Sequence, residues 1–183
     1  MFKTSLIKDN GILLREDLHI GEDYSFNLEA LMKARDYCEL NRSLYSYIVQ
    51  NEKSISSCYD PDKWEQMQKV HNLRCSLLRQ NLHISSERIE AEIRYDYIKM
   101  CFAHGMDLNR KETGLSRRQK SQIFGKLIRD TKYRLTLKDL RFLTWAQRIP
   151  YFVFFAKNRY IVGLFSYLIY FYKFKSNFYR EKA

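Results

Sequence analysis

Residues that break regular backbone structure are scarce in this chain, which has only 6 glycines and 2 prolines in 183 positions. An all-β protein needs many tight turns, and Gly and Pro are the usual residues in them, so their scarcity favours long helices. Hydrophobic residues make up 45% of the chain, which excludes general disorder and allows a substantial core. We expect one ordinary domain, or a small domain remnant followed by an extension.

Helical spacing of apolar residues predicts two long helices after residue 57. The first is predicted from Asp60 to about Leu82, with Asp60 as its N-cap and Pro61 at its first position. The second is predicted to begin at Ser85 and to stop at Gly105, because glycine commonly follows a helix end. Its apolar stripe is Ile89, Ile93, Tyr97 and Met100.

Two more helix starts are predicted from capping residues. Ser116 followed by Gln119 fits a capping box, in which each side chain bonds the backbone N–H of the other residue. The run that begins at Thr136 predicts the start of a fourth helix, with Asp139 in its first turn.

Two adjacent acids, Glu22 and Asp23, stand where a short extended segment is predicted to turn into an amphipathic helix. The predicted helix carries Tyr24, Leu28 and Leu31 at helical spacing, so its first turn should lie at the edge of a core. Free N–H groups and the positive end of the helix dipole favour ionised carboxylates, which suits a catalytic base. The alternative is that both acids only cap the helix and complement its dipole.

Several segments follow one another around this acidic pair. They are residues 6–18, Gly21-Glu22-Asp23, the helix to Ala34, Leu44-Tyr45-Ser46-Tyr47 and Ser54-Ile55-Ser56. In order and spacing, over about residues 2 to 57, they resemble the end of the catalytic domain in family 2 glycosyltransferases of the GT-A fold. Bacterial enzymes that build surface polysaccharides are the most similar members. The resemblance implies an α/β fold in this region.

The resemblance also implies a reaction and its residues. In that family, the Asp of the acidic pair deprotonates the acceptor hydroxyl that attacks the anomeric carbon of the sugar donor. Carried onto this chain, the catalytic base is Asp23 and the supporting, substrate-binding acid is Glu22. Tyr45 and Tyr47 would bind substrate from the strand beside the acceptor site. The implied enzyme is inverting and transfers a sugar from a nucleotide-sugar donor to a lipid-linked saccharide, in capsular or exopolysaccharide synthesis.

The chain departs from the family at its start. A complete GT-A domain begins with a nucleotide-binding half, whose Asp-x-Asp motif holds divalent Mg or Mn on the donor diphosphate. Roughly twenty residues precede Glu22, too few for the crossover units of a parallel sheet. Asp60-Pro61-Asp62 has the Asp-x-Asp form, but it follows the acidic pair and fits a helix cap. We therefore expect a glycosyltransferase fragment that is inactive alone, with the metal ligands absent from this chain.

The spacing of cysteines and histidines predicts no metal or disulfide site. The cysteines lack a Cys-x-x-Cys pair and fit reduced thiols in the cytosol, and the histidines show no ligand spacing. These residues are Cys38, Cys58, Cys75, Cys101, His19, His71, His83 and His104.

Charge is distributed unevenly along the chain. Residues 1–109 contain 14 Lys and Arg against 17 Asp and Glu, whereas residues 110–183 contain 18 against 4. The second part should therefore meet an acidic partner. If that partner is nucleic acid, the expected phosphate contacts are Arg117, Arg118, Lys120, Lys126, Arg129, Lys132 and Arg134.

The apolar, tyrosine-rich residues 149–174 favour an anionic inner membrane surface over nucleic acid. The run 160–172 is shorter than the roughly 17 to 25 residues that span a bilayer, and Lys157 and Arg159 interrupt the longer apolar stretch. Attachment in the headgroup region is therefore predicted. The alternative is a buried helix pair.

The chain begins with Met1-Phe2-Lys3-Thr4, which lacks the apolar core of a secretory signal. We therefore expect a cytoplasmic, peripheral location on the inner face of the membrane.

These patterns together predict an α/β remnant followed by a mainly α-helical extension. The predicted regions are a GT-A remnant over residues 1–57, a helical region over 58–148, and a basic, aromatic, membrane-associated tail over 149–183. The predicted function is that of the glycosyltransferase fragment. The alternative is a non-catalytic, basic helical module that binds membrane or nucleic acid.

Overall fold

The structure, a computed structural model, describes residues 2–39, 41–42, 59–80, 84–129 and 133–172. The α-helices of these residues are α1 (Thr4–Asp9), α2 (Glu22–Lys33), α3 (Lys63–Arg79), α4 (Ser86–Leu108), α5 (Arg117–Arg129), α6 (Trp145–Phe155) and α7 (Arg159–Tyr170). Two 3₁₀-helices span Lys111–Thr113 and Leu137–Phe142. The chain divides into two compact units, Met1–Asn81 and Leu82–Ala183. The division falls inside the region 58–148 that the sequence suggested as one helical segment.

The predicted α/β remnant is wrong. Between residues 2 and 39, and at 41–42, the structure has α1 and α2 and no strand. The apolar run 12–14 buries Ile12 but leaves Leu13 74% exposed. Gly11 and Leu18, on either side of it, donate their backbone N–H groups to carbonyls three residues earlier, as in local turns. A strand needs a neighbouring strand to bond its backbone groups, and the described part of this region provides none.

The first unit packs α2 against both α3 and α1. The stripe predicted for α2 is only partly its buried face, because Tyr24 and Leu31 are exposed, whereas Ala30, which broadens the stripe, is buried together with Ser25. Gly21, just before α2, approaches α3 so closely that a Cβ atom there would lie 3.0 Å from Val70. Small residues therefore set the contact between these two helices.

The second unit is built around α4, which contacts α5, α6, α7 and the 3₁₀-helix Leu137–Phe142. Its predicted apolar stripe is confirmed, since Ile89, Ile93, Tyr97 and Met100 are all buried. The predicted stop at Gly105 is wrong, because α4 continues to Leu108. Gly105 instead faces α7, where a Cβ atom would lie 2.6 Å from the Ser166 hydroxyl oxygen.

Aromatic rings join α4 to the last two helices. The Phe102 ring of α4 lies edge-on to Phe154 of α6, with centroids 6.0 Å apart, and to Phe165 of α7, at 5.2 Å. Tyr97 makes a further edge contact with Phe154 at 6.4 Å. Such contacts bury large rings in a favourable geometry, so the inner faces of α6 and α7 belong to the core.

The predicted capping signals have mixed outcomes. The Ser116–Gln119 box is confirmed at the start of α5, where Ser116 N–H donates to Gln119 Oε1 at 2.9 Å. Thr136 and Asp139 also form a box, but the helix that follows is 3₁₀ rather than α. The start predicted at Asp60 is wrong, because α3 begins at Lys63 and Asp60 accepts the N–H of Asp62 in a preceding turn.

Candidate functional site

The acids predicted as catalytic, Glu22 and Asp23, are the first two residues of α2. Gly21 is the N-cap and adopts a left-handed φ of 80°, which glycine reaches without steric cost. Asp23 is exposed, and its Oδ1 atom accepts the backbone N–H of Tyr24 at 2.6 Å. Acids placed in this way complement the helix dipole, as the capping alternative requires. The catalytic role of Asp23 stays a prediction.

The other predicted site residues are the two tyrosines of the segment 44–47. Tyr45 and Tyr47 lie outside the described residues. Across residues 2–39, 41–42, 59–80, 84–129 and 133–172, no group of three or more His, Cys, Asp or Glu side chains could hold a metal ion. His19 faces Asp60, with 3.5 Å between Nε2 and Oδ2.

One close pair on α3 escaped the sequence analysis. His71 Nε2 and Cys75 Sγ are 3.5 Å apart, and both residues are buried. Their spacing of four residues on one predicted helix could have indicated the contact. Because neither side chain is accessible, the pair belongs to the packing of the first unit.

A buried polar cluster lies in the second unit. The buried Asp139 carboxylate accepts two hydrogen bonds from the Arg94 guanidinium, both at 2.7 Å, and one from the Tyr151 hydroxyl. Burial alone would raise the pKa of Asp139, but the hydrogen bonds from Arg94 and Tyr151 outweigh it and lower that pKa. Burial and the bond to Asp139 raise the pKa of Tyr151. The cluster ties α4, α6 and the 3₁₀-helix Leu137–Phe142 together.

An open cavity of 280 Å³ lies beside this cluster. Its lining includes Glu87 and Glu90 together with Arg94 and Arg141. Glu87 pairs with Arg141, and Glu90 lies 3.9 Å from Arg94. Since these opposite charges already face each other, the cavity has little net attraction for a charged ligand.

The outer face of α7 is apolar and exposed. Six residues at helical spacing form it, with exposed fractions between 45% and 64%: Tyr160, Ile161, Leu164, Tyr167, Leu168 and Phe171 just after the helix end. The inner face packs on α4 and α5 through Val162 and Ser166, which are buried. α7 is thus apolar on both faces, but the protein buries only the inner one. The outer face is left as apolar surface in contact with water, which is unfavourable.

The neighbouring α6 repeats this pattern. Trp145, Ile149 and Phe152 are exposed along one face, while Tyr151 and Phe154 are buried. Trp145 was missed because the predicted tail began at residue 149. Among the residues that the structure describes, no helix is long and apolar enough to cross a membrane.

Basic residues accompany these helices. On α5, Arg118, Lys126 and Arg129 are exposed on one face. Lys157 lies between α6 and α7, and Arg159 is the first residue of α7. Lys120 is half-buried, and burial lowers its pKa. Of the predicted phosphate contacts, Lys132 lies outside the described residues.

Comparison with known proteins gives no match to any family model, curated protein or solved structure. Function is therefore inferred from the chain's own surfaces, of which the outer faces of α6 and α7 are the most unusual for a folded protein.

Proposed function

We propose that the chain is a non-catalytic helical module that binds an anionic membrane surface through the outer faces of α6 and α7. The single observation that carries the proposal is the row of six exposed apolar residues on and just after α7. Isolated apolar residues are common on protein surfaces, but a continuous helical row of them indicates a binding surface.

The expected free energies of apolar burial and of charge attraction both favour attachment of the chain to an anionic membrane. Full burial of a Leu, Ile or Phe side chain is worth about 1.5–3 kcal/mol, so six side chains that are half-exposed offer on the order of 5 kcal/mol. Each Lys or Arg near anionic lipid adds on the order of 1 kcal/mol. Lys157 and Arg159 adjoin the apolar row and supply this second contribution.

The length of α7 supports an orientation in the plane of the interface. Its 12 residues extend about 18 Å at the usual helical rise, against a hydrocarbon thickness of about 30 Å. Three of the exposed rings on α6 and α7, those of Trp145, Tyr160 and Tyr167, are of the kind enriched at the headgroup level. The proposed site of attachment is the cytoplasmic leaflet, which carries most of the anionic lipid.

Nucleic acid is the second candidate, because Arg118, Lys126 and Arg129 align on α5. The glycosyltransferase hypothesis stays a prediction, with its donor, acceptor and metal still to be found. The geometry favours the membrane proposal because the apolar row has no use in binding phosphates along a nucleic-acid strand.

The test compares two double variants in vesicle co-sedimentation. Leu164→Gln with Leu168→Gln removes apolar surface without changing charge, and should lower binding to vesicles with one third anionic lipid at least tenfold. The matched control is Leu13→Gln with Leu14→Gln, which alters two exposed leucines of the first unit and should leave binding unchanged. Equal binding by both variants, or tighter binding to single-stranded nucleic acid than to vesicles, would overturn the proposal.

A further inference from the structure

A basic cavity of 340 Å³ lies where α5 meets the beginning of α7. Gly125, Ile128 and Arg129 line it from α5, and Lys157, Arg159 and Tyr160 line it from the other side. None of the lining residues is acidic. Three cations therefore share one small space, which distinguishes this cavity from the charge-paired one beside Asp139.

These cations have no acidic partner among the residues that the structure describes. Within the described ranges, Arg129, Lys157 and Arg159 form no ion pair. Like charges held near one another repel, and an anion placed between them would remove that repulsion. The chemistry of the lining thus selects a negatively charged group.

Two features shape the lining of the cavity. Gly125 has no side chain, and a Cβ atom there would lie 3.5 Å from Arg159 Cδ and 3.7 Å from Arg129 Nη1. The Arg159 guanidinium stands 4.9 Å from the centroid of the Tyr160 ring and donates to its hydroxyl at 3.0 Å. The N–H groups of Tyr160 and Ile161 already donate to Asn158, so the cations rather than the helix end provide the site.

Lys157 occupies a position that normally belongs to glycine. It follows the α6 C-cap, Ala156, and has a φ of 52°, the one positive value among the described non-glycine residues. Glycine is the usual residue in this left-handed position after a helix, because a Cβ atom is unfavourable there. A strained lysine whose side chain lines a basic cavity indicates a functional reason for the charge.

A second cavity, of 210 Å³, adjoins the basic one and shares Ile128 and Lys157 with it. Its further lining is mixed, with Leu135, Phe154 and Phe155 as apolar side chains and Tyr133 and Arg134 as polar ones. A ligand that fills both cavities would combine an anionic group with an apolar portion.

We propose that Arg129, Lys157 and Arg159 form a phosphate-binding site for an anionic phospholipid, whose apolar part enters the adjoining cavity. This inference rests on the proposed membrane function and adds a specific headgroup site to it. The three cations bind the phosphate oxygens by charge-assisted hydrogen bonds. Free phosphate shares the headgroup chemistry but lacks the apolar part.

The test uses soluble ligands, so that it does not depend on attachment to a bilayer. Calorimetry on the full chain would compare dioctanoyl phosphatidic acid, below its micelle concentration, with inorganic phosphate. We expect at least tenfold tighter binding of the lipid. Lys157→Gly should lower the affinity for both ligands at least fivefold. The melting temperature should stay the same or rise, because glycine relieves the backbone strain. Lys126→Gln, which removes one charge of α5 outside the cavity lining, should weaken binding less than twofold.

Several results would overturn the assignment. An equal loss of phosphate and lipid affinity in Lys157→Gly and Lys126→Gln would mean that binding depends only on the overall charge of the chain. Equal affinity for lipid and inorganic phosphate would overturn the lipid assignment in favour of a free phosphate ligand. Vesicle binding that depends on Leu164 and Leu168 but is accompanied by no soluble phosphate binding would remove this site and leave the membrane proposal intact.

Discussion

α4 and α7 are both rich in apolar residues, but they are covered to very different extents. α4 is 23 residues long, and its buried residues occur on nearly every side, because α5, α6, α7 and a 3₁₀-helix surround it. α7 is 12 residues long and buries one side, leaving its six-residue apolar face in solvent. α7 is the more apolar of the two helices, and yet it is the one that leaves apolar surface in solvent, so composition alone does not reveal which surface the fold itself uses.

The two helices also differ in their polar connections. Arg94 of α4 forms the bidentate ion pair with Asp139, whereas Arg159 of α7 forms no ion pair within the described part of the chain. α4 is thus held on all sides by interactions that specify one position. The difference indicates that α4 serves the stability of the second unit, while the outer face of α7 is the surface proposed above to bind a membrane.

The largest effect is expected from truncating a fully buried residue of α4. Ile98→Ala should lower the free energy of unfolding by about 2–5 kcal/mol, through lost burial and a residual cavity. Its comparator Leu164→Ala, on the outer face of α7, should change that free energy by less than about 0.5 kcal/mol. Urea denaturation followed by circular dichroism would measure both. Similar losses in the two variants would show that the outer face of α7 is covered in solution and would break the comparison.

The next effect concerns the polar anchor of α4. Asp139→Asn should destabilise the chain by about 3 kcal/mol at pH 7, because it leaves the mostly buried Arg94 guanidinium without its counter-ion. Thermal and urea unfolding at pH 7 would test this value. The matched change Asp17→Asn breaks the exposed pair with Arg15 and should lower stability far less than Asp139→Asn does, because solvent screens that pair.

The same variant has an expected pH dependence. The pKa of Asp139 is lower in the folded chain than in the unfolded chain, so its stabilising effect is present above the unfolded pKa of about 3.9 and is lost as pH falls through the folded value. The stability difference between the natural chain and Asp139→Asn should therefore shrink below about pH 4. A difference that stays constant down to pH 2 would contradict the ionised pair.

The smallest effect tests the contact between α4 and α7. Gly105→Ala should lower the free energy of unfolding by about 1–3 kcal/mol, because the new methyl group would lie under 3 Å from Ser166 and Phe124. This loss should exceed the gain from the higher helix propensity of alanine. Gly125→Ala is the control, since its nearest neighbours lie at ordinary contact distance and stability should hold or rise. Thermal unfolding would distinguish the two, and equal melting temperatures would mean that α4 and α7 separate easily.

Periodicity and capping were sufficient to predict much of the second unit. The stripe from Ile89 to Met100 repeats through a long helix, and Ser116 with Gln119 specifies a cap by local hydrogen bonds. Gly105 was misinterpreted because a glycine at a helix crossing and a glycine at a helix end look the same in sequence. What distinguishes them is the approach of α7, a tertiary contact from 61 residues further along the chain, at Ser166.

The first unit and the site were harder to predict. The α/β expectation depended on the order of segments around Glu22 and Asp23, and order does not supply the partner strand that an extended segment requires. The apolar tail was identified from sequence, but the exposure of Leu164 and Leu168 was not. Periodicity predicts which residues share an apolar face, but it does not predict whether another element of the fold buries that face. The left-handed lysine, Lys157, had no sequence signal at all, since the motif normally shows glycine.

The exposed face of α7 also affects the chain before it meets any partner. An uncovered apolar helix face on one copy is a potential contact for the same face on another, so the chain has a tendency to self-associate. Its net charge of +11 opposes this by mutual repulsion. Added salt screens charges over about 10 Å at 0.1 M, and so weakens that repulsion. If the chain attaches to anionic lipid as proposed, the ionic conditions that release it from the membrane are therefore also those in which it is least colloidally stable.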